Sequence, residues 1–282
     1  MSTDRKGALV TGAGRGLGKE IARVLAGRGM TVHLTDLDGA AAEAAARDVG
    51  HGAFASALDV RDEEACRAAA SMTEERAGSL AVWINNAGVL VPGPAWEQDA
   101  ATRRLMIDVN AIGTINGTLA AIERMRVAGG GHVINVISLA GIVAAPGEGI
   151  YAASKHAAIG FSISTLADLR IAGVRDIDIS CLCPDGIWTP MVSDKLSDPQ
   201  AAASFSGKML MPEEVAERVG RLVERPRVVV TMPRWRGGFV RLYDALPGLA
   251  IRSVRSVLAL ARMQQRTMKR KVEAGRWPPR PR

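Results

Sequence analysis

Seven residues, Gly12-Ala13-Gly14-Arg15-Gly16-Leu17-Gly18, constrain this chain more than any others. They follow Ala8–Thr11, a short apolar run that reads as a buried strand, and they open a helical pattern that continues to about Arg28. A strand, a glycine-rich turn and a helix N-terminus together make a phosphate cradle. Glycine lets a pyrophosphate approach the backbone, and the helix end supplies free N–H groups. A P-loop is excluded, because Ala13 stands five before Gly18 and Lys19 is followed by Glu20 where Ser or Thr is required.

Strand and helix patterns then alternate. Thr31–Thr35 reads as a strand ending at Asp36, followed by helix Ala40–Val49, strand Phe54–Leu58, helix Asp62–Ala77 and strand Leu80–Ile84. Helix Thr102–Val127, strand His132–Ile137, a helix from Tyr151 to about Ala172, strand Ile177–Cys183, helix Pro212–Val223 and strand Val228–Val230 complete the series. The proline and acids that open Pro212–Val223 are a helix-start signature. The alternation predicts an α/β fold, a Rossmann-type doubly wound parallel sheet of about seven strands with helices on both faces. Such a sheet binds ligands at the carboxyl ends of its strands, where Asp36, Asp59, Asn85, Asn86 and Ser138 fall. Pro190–Met211, rich in Ser, Ala, Met and Asp, reads as a mobile flap. One domain over 1–235, a basic helical extension over 236–275 and a disordered tail over 276–282 are expected.

Asp36 lies eighteen residues after Gly18. A carboxylate there can accept hydrogen bonds from the adenosine ribose and repels a 2′-phosphate, which favours NAD over NADP. Arg15 argues the other way, since a cation in the turn could reach a 2′-phosphate, whereas Leu37 offers such a phosphate nothing. Asp36 could also be a plain cap for the following helix.

Tyr151 and Lys155 are four residues apart, so on a helix the phenol and the ammonium project from one face. A neighbouring cation favours the phenolate and draws the phenol toward neutrality, which would make Tyr151 a usable acid and base. By itself the spacing is also one that any helix can carry by chance.

Composition limits the rest. There is no run of eighteen apolar residues and no apolar signal core at the start, so a cytoplasmic protein is expected. Cys66, Cys181 and Cys183 form no metal-ligand spacing, and the latter two read as buried thiols on one face of a strand. From Arg234 onward thirteen Lys and Arg stand against two acids, a net +11, which leaves −4 on the first 233 residues.

Taken together these residues resemble the classical short-chain dehydrogenase/reductase family over about 5–235. The matching motifs are Thr11-Gly12-x-x-x-Gly16-x-Gly18, Asp59-Val60, Asn85-Asn86-Ala87-Gly88, Asn110, Ser138 and Tyr151-x-x-x-Lys155. The resemblance implies an NAD(P)-dependent alcohol dehydrogenase or ketone reductase, with NAD favoured and a catalytic set of Asn110, Ser138, Tyr151 and Lys155. Tyr151 would exchange a proton with the substrate oxygen, Ser138 would polarise that oxygen, Lys155 would hold the nicotinamide ribose, and the Asn110 carbonyl would hold a water leading protons out. The lesser alternative for Asn110 is a polar residue bending its helix. The cofactor would meet Gly12, Arg15, Gly16, Leu17 and Gly18 in the turn, Asp36 at the ribose, Asp59 and Val60 at the adenine, Asn86, Ala87 and Gly88 beside the adenosine, and Pro184, Ile187 and Thr189 near the nicotinamide. One departure stands out: the family's Pro-Gly is here Pro184-Asp185, with the glycine moved to 186. Either the turn is rearranged or a carboxylate approaches the cofactor.

Leu139, Ala140, Trp96, Trp188, Met191 and Phe205 are the expected substrate walls, with Met209 and Met211 beside them. They are apolar, and no Arg is placed to clamp an anion, so a hydrophobic secondary alcohol or ketone of the steroid, terpenoid, retinoid or long-chain kind is expected. A nucleotide-binding regulator without turnover is the reading from another class. The resemblance further implies a homo-oligomer, a dimer or tetramer. On a wheel from Pro247 to Arg270, six cations gather on one side and Val254, Val257, Leu258, Ala261 and Met268 on another. Such a helix either packs its apolar stripe on the body or a sister subunit, or lies peripherally on an anionic membrane. Nucleic acid is not an expected partner.

Overall fold

The computed structural model describes residues 6–278. Its centre is a seven-stranded sheet, and every neighbouring pair is parallel. The strands are β1 (Gly7–Thr11), β2 (Thr31–Asp36), β3 (Phe54–Ala57), β4 (Leu80–Asn85), β5 (Gly131–Val136), β6 (Ile177–Pro184) and β7 (Val229–Met232), arranged β3-β2-β1-β4-β5-β6-β7. The helices are α1 (Gly16–Gly27), α2 (Gly39–Val49), α3 (Glu63–Ala77), α4 (Ala100–Ile107), α5 (Gly113–Ala128), α6 (Gly149–Ile171), α7 (Pro190–Ser193), α8 (Pro212–Glu224), α9 (Arg234–Asp244) and α10 (Pro247–Glu273).

The chemistry of the helix starts is local. Asp38, Asp62 and Asp99 each accept a hydrogen bond from a first-turn N–H of α2, α3 and α4, which satisfies an otherwise orphaned donor. At the start of α8, Pro212 takes the first position and Glu214 accepts from the Met211 N–H at 2.9 Å. Gly78 and Gly129 end α3 and α5 at φ +82°, where a side chain would be strained.

Alternate strand residues divide between two cores. Ala8, Val10, Val82, Ile84 and Ile134 face α1 and α8 through Ile21, Leu25, Val215 and Val219. Leu9, Trp83 and Val133 face the opposite layer, with Ala121, Met125, Leu166 and Leu169. Burial on both faces is why the strands read as nearly continuous apolar runs. The expected helix Thr102–Val127 is one continuous helix over Ala100–Ala128, with a π turn at Asp108–Ile112 between α4 and α5.

A buried polar chain fixes α5 and α6 against the sheet. Trp83 Nε1 donates to Asn85 Oδ1 at 2.7 Å, Asn85 Nδ2 to Asn135 Oδ1 at 2.8 Å, and Asn135 Nδ2 to Ser162 Oγ at 2.7 Å. Gly117 of α5 lies directly over it.

The chain beyond β7 forms two helices. The α10 stripe packs on the body, with Ala261 and Gln265 buried. Gln265 Nε2 donates to the carbonyls of Asp198 at 2.7 Å and Lys195 at 3.3 Å. The segment expected as a flap thus carries α7 and a 3₁₀ stretch, Pro199–Phe205, that α10 holds from outside. Disorder is expected over 276–282; Trp277 instead packs edge-on against Trp188 at 5.9 Å between ring centroids, while 279–282 lie outside the described residues.

A Cβ at Gly117 would stand 2.7 Å from Trp83 Nε1 and closer still to Asn85 Oδ1. In an exposed helix interior Gly→Ala stabilises by about 1 kcal/mol. Here Gly117→Ala is expected to destabilise by about 2 kcal/mol through overpacking, read as a lower urea midpoint at unchanged m-value.

Candidate active site

A cavity of about 950 Å³ opens across the carboxyl ends of the central strands. At β1 and β4 it is shaped by one threonine. Thr11 Oγ1 accepts from the N–H groups of Asn86 and Ala87 at 3.0 Å each, and Asn86 Nδ2 donates to the carbonyls of Thr11 and Gly12 at 3.0 Å. Gly12 and Gly16 hold φ values of +61° and +58°, and a Cβ on Gly12 would lie 2.8 Å from Ala87 Cα. The turn therefore tolerates glycine alone at these positions. Gly18 matters for another reason. A Cβ there would strike the Gly12 carbonyl, so this glycine seats the first turn of α1.

Gly12, Arg15, Gly16 and Leu17 line the cavity, as do Asp36, Asp59, Val60, Asn86, Ala87 and Gly88. Asp36 Oδ2 accepts from the Gly14 N–H at 3.0 Å. The cap of α2 is Asp38, not Asp36, which leaves Asp36 at the cavity edge beside an exposed Leu37. Asp59 is paired with Arg61 at 2.5 Å, and this hydrogen bond holds its carboxyl below the usual range. Arg15 is exposed and its side chain caps nothing.

At the other end β5 stops just before Ser138 and α6 begins at Gly149, which brings Ser138, Tyr151 and Lys155 to one wall. Ser138 Oγ accepts from the Ala140 N–H at 3.1 Å, and the Tyr151 phenol shares the same wall. Lys155 Nζ donates to the Val136 carbonyl at 3.0 Å and stands 5.8 Å from the Tyr151 ring centroid. Asn110 does not reach the cavity. From the π turn its Oδ1 accepts from the Val89 N–H at 2.8 Å, and its Nδ2 donates to the Val89 carbonyl at 2.9 Å and to Ser154 Oγ at 3.0 Å. Its carbonyl accepts from Thr114 Oγ1 at 2.8 Å.

Sequence reasoning has Lys155 draw the phenol down, and the local environment opposes it. Burial, followed by the charge of Glu148, pushes the Tyr151 phenol above its ordinary value, while the Ser138 hydroxyl works downward. Burial likewise brings Lys155 down to about 8, so each group is moved toward its neutral form.

The substrate end corrects several expectations. Leu139, Ala140 and Met191 line the cavity. Trp96 is 85% exposed and away from it. Trp188 and Phe205 also lie outside: they cluster with Val192, Met209, Met268 and Trp277 on the far side of the flap. Their hydrophobicity belongs to the seal between flap and α10, which spacing along the chain does not reveal. Pro184, Ile187 and Thr189 line the cavity, and the moved glycine has a physical reason. Asp185 turns to Arg236 of α9 at 3.2 Å, and a Cβ at Gly186 would collide with the Ser204 carbonyl. Burial raises the Asp185 carboxyl, and the Arg236 charge opposes that rise.

Glu148 has no counterpart among the sequence expectations. It lines the cavity, 5% exposed, and its Oε1 accepts from Ser204 Oγ of the flap at 2.6 Å. Burial pushes its carboxyl up to about 7. The only sequence signal is an acid three residues before Tyr151. Val240, Tyr243, Val254 and Leu258 of α9 and α10 complete the wall from a part of the chain read only as an extension.

A family profile described as short chain dehydrogenase matches residues 6–200. A cis-4-hydroxycyclohexanecarboxylate dehydrogenase of Sinomonas cyclohexanicum is 33% identical over 221 residues, 76% of this chain and 88% of that protein. A cyclopentanol dehydrogenase of Comamonas testosteroni is 34% identical over 226 residues, 77% of this chain and 89% of that one. Among solved structures, a short chain dehydrogenase/reductase from Burkholderia phymatum in complex with NAD superposes with a TM-score of 0.79 at 28% identity, over 89% of this chain and 96% of that one.

Glu148 supplies a stability test. Its folded-state value lies above the ordinary 4.5, so the stability from the buried neutral carboxyl is full below about pH 4.5 and lost as pH rises through about 7. Relative to Glu148→Gln, the wild-type chain is expected to lose about 3 kcal/mol across that window, measured by urea unfolding at each pH.

Proposed function

The chain belongs to the short-chain dehydrogenase family, and from that premise we propose that it oxidises a neutral, apolar secondary alcohol, or reduces the matching ketone, with NAD as hydride carrier. The observation that carries this reading is the meeting of Ser138, Tyr151 and Lys155 at one wall of a cavity whose remaining lining is largely apolar.

The nucleotide end fits a dinucleotide. Its turn holds glycine where a Cβ has no room and frees backbone N–H groups at the start of α1. Asp36 at the edge, with Leu37 beside it and no Lys or Arg on β2, supports NAD over NADP. A bound nicotinamide supplies the acceptor or donor for hydride.

This chain's own residues handle the proton. In oxidation Tyr151 takes the substrate hydroxyl proton, and in reduction it returns it. Ser138 holds the substrate oxygen, its Oγ already positioned by the Ala140 N–H. Lys155 provides the counter-charge that a buried phenolate requires, and through Val136 it is fixed in place for the ribose hydroxyls. Asn110 orders Val89 and Ser154 around this wall through its side chain, and its carbonyl, which accepts from Thr114 Oγ1, keeps a second lone pair for the water of the proposed proton exit.

The names of two relatives point to alicyclic alcohols. Within this cavity Arg236 is paired with Asp185 and Lys195 Nζ donates to the Met191 carbonyl at 2.8 Å, so a carboxylate-bearing substrate would have to draw a cation from an existing partner. A neutral ring or chain is therefore favoured.

The test is a panel of cyclopentanol, cyclohexanol and longer apolar secondary alcohols, run with NAD and NADP in parallel. NADH formation rising with apolar size is expected. Intact nucleotide binding without turnover of any alcohol would convert the reading to a nucleotide-binding regulator. Tyr151→Phe is expected to lower kcat by about 10³ with cofactor affinity unchanged by fluorescence titration. Asp36→Ala is expected to move the NAD/NADP preference about tenfold toward NADP.

A further inference from the structure

The mouth of the cavity has an unusual rim. Phe239 of α9 and Ile251, Val257 and Leu260 of α10 line the cavity, yet Phe239 and Ile251 stand 54% and 70% exposed. Trp235 and Leu242 share the outer face of α9 with Phe239, at helical spacings of four and three, and are exposed as well. A contiguous apolar rim of this kind marks a surface that meets something apolar. Beside it α10 presents Arg252, Arg255, Arg262, Arg266 and Arg270. None of these has an acid within 4.0 Å among the described residues.

We propose that the outer faces of α9 and α10 dock on an anionic lipid surface, so that the cavity mouth opens toward the bilayer. The apolar rim enters the headgroup boundary, Trp235 supplies an interfacial ring, and the arginines meet lipid phosphates. A second copy of the chain is the weaker occupant. A two-fold contact brings the same patch against itself, and here that places unpaired arginines near their own copies. The docking stands on this surface alone. The delivery of a membrane-dissolved alcohol to Tyr151 rests additionally on the catalytic reading above.

The experiment uses the full chain and vesicles of phosphatidylcholine, alone or mixed with phosphatidylserine. Co-sedimentation with the anionic vesicles, weakened by salt, is expected. Trp235→Ser with Leu242→Ser should lower it at least about tenfold, and Arg262→Gln, Arg266→Gln and Arg270→Gln together about a hundredfold. Thermal melts establish that each variant is folded, and turnover of soluble cyclopentanol should be unchanged in both. No binding, equal binding to neutral vesicles, or binding indifferent to both sets of variants overturns the docking. A dimer in sedimentation that the Trp235 and Leu242 changes dissociate, without vesicle binding, assigns the face to a second copy and also overturns it. A chain that oxidises cyclopentanol but ignores vesicles loses the docking alone, and one that binds vesicles but oxidises no alcohol loses the catalytic reading alone.

Discussion

The hydrogen bonds of Thr11 hold this molecule at its most demanding point. Between β1 and β4 the order of the sheet reverses direction, so the chain leaves the two strand ends toward opposite sides and a crevice opens between them. Left to itself, that crevice would be bordered by two loops free to separate. Thr11 spans it by accepting two N–H groups from the loop after β4, and Asn86 returns two hydrogen bonds to the end of β1 and the loop after it. Gly12 and Gly16 of the turn adopt positive φ without strain, and this clasp fixes the segments on either side of them. The glycine turn and the Asn86–Gly88 loop, which face the nucleotide end of the cavity, are set by that spacing.

Desolvation governs the opposite wall. Tyr151, Lys155 and Glu148 stand at or beside the first turns of one helix, and burial moves each toward its neutral form. The phenol rises, the ammonium falls to about 8 and the carboxyl rises to about 7. Groups moved toward their neutral forms cost less to bury than fixed charges. Glu148 also ties this wall to the flap through Ser204.

The parts of this architecture legible in the sequence are those set by local rules. The strand and helix alternation, the glycine turn, Asp36 and the Tyr151–Lys155 spacing each follow from periodicity or from a backbone requirement confined to a few residues. The π turn at Asn110 is hidden, because its cause is contact with Val89 and Ser154, twenty-one and forty-four residues away. Trp188 and Phe205 look like pocket residues in isolation and are instead the underside of the flap, facing α10. Asp185 looks anomalous until it is placed opposite Arg236, fifty-one residues later. Glu148 has no pattern to betray it. Where side chains answer to partners far along the chain, spacing carries no information about them.

Gln265 grips the flap from α10 through the carbonyls of Lys195 and Asp198, and the same helix walls the cavity with Val254 and Leu258. The proposed reacting groups sit at the end of β5 and on α6, while the cavity wall proposed to meet the substrate is shared with an appended helix. Those two assignments are separable in evolution. Replacements along α10 can reshape what fits without disturbing the proton wall, so descendants of such a chain can exchange substrates while inheriting the same chemistry.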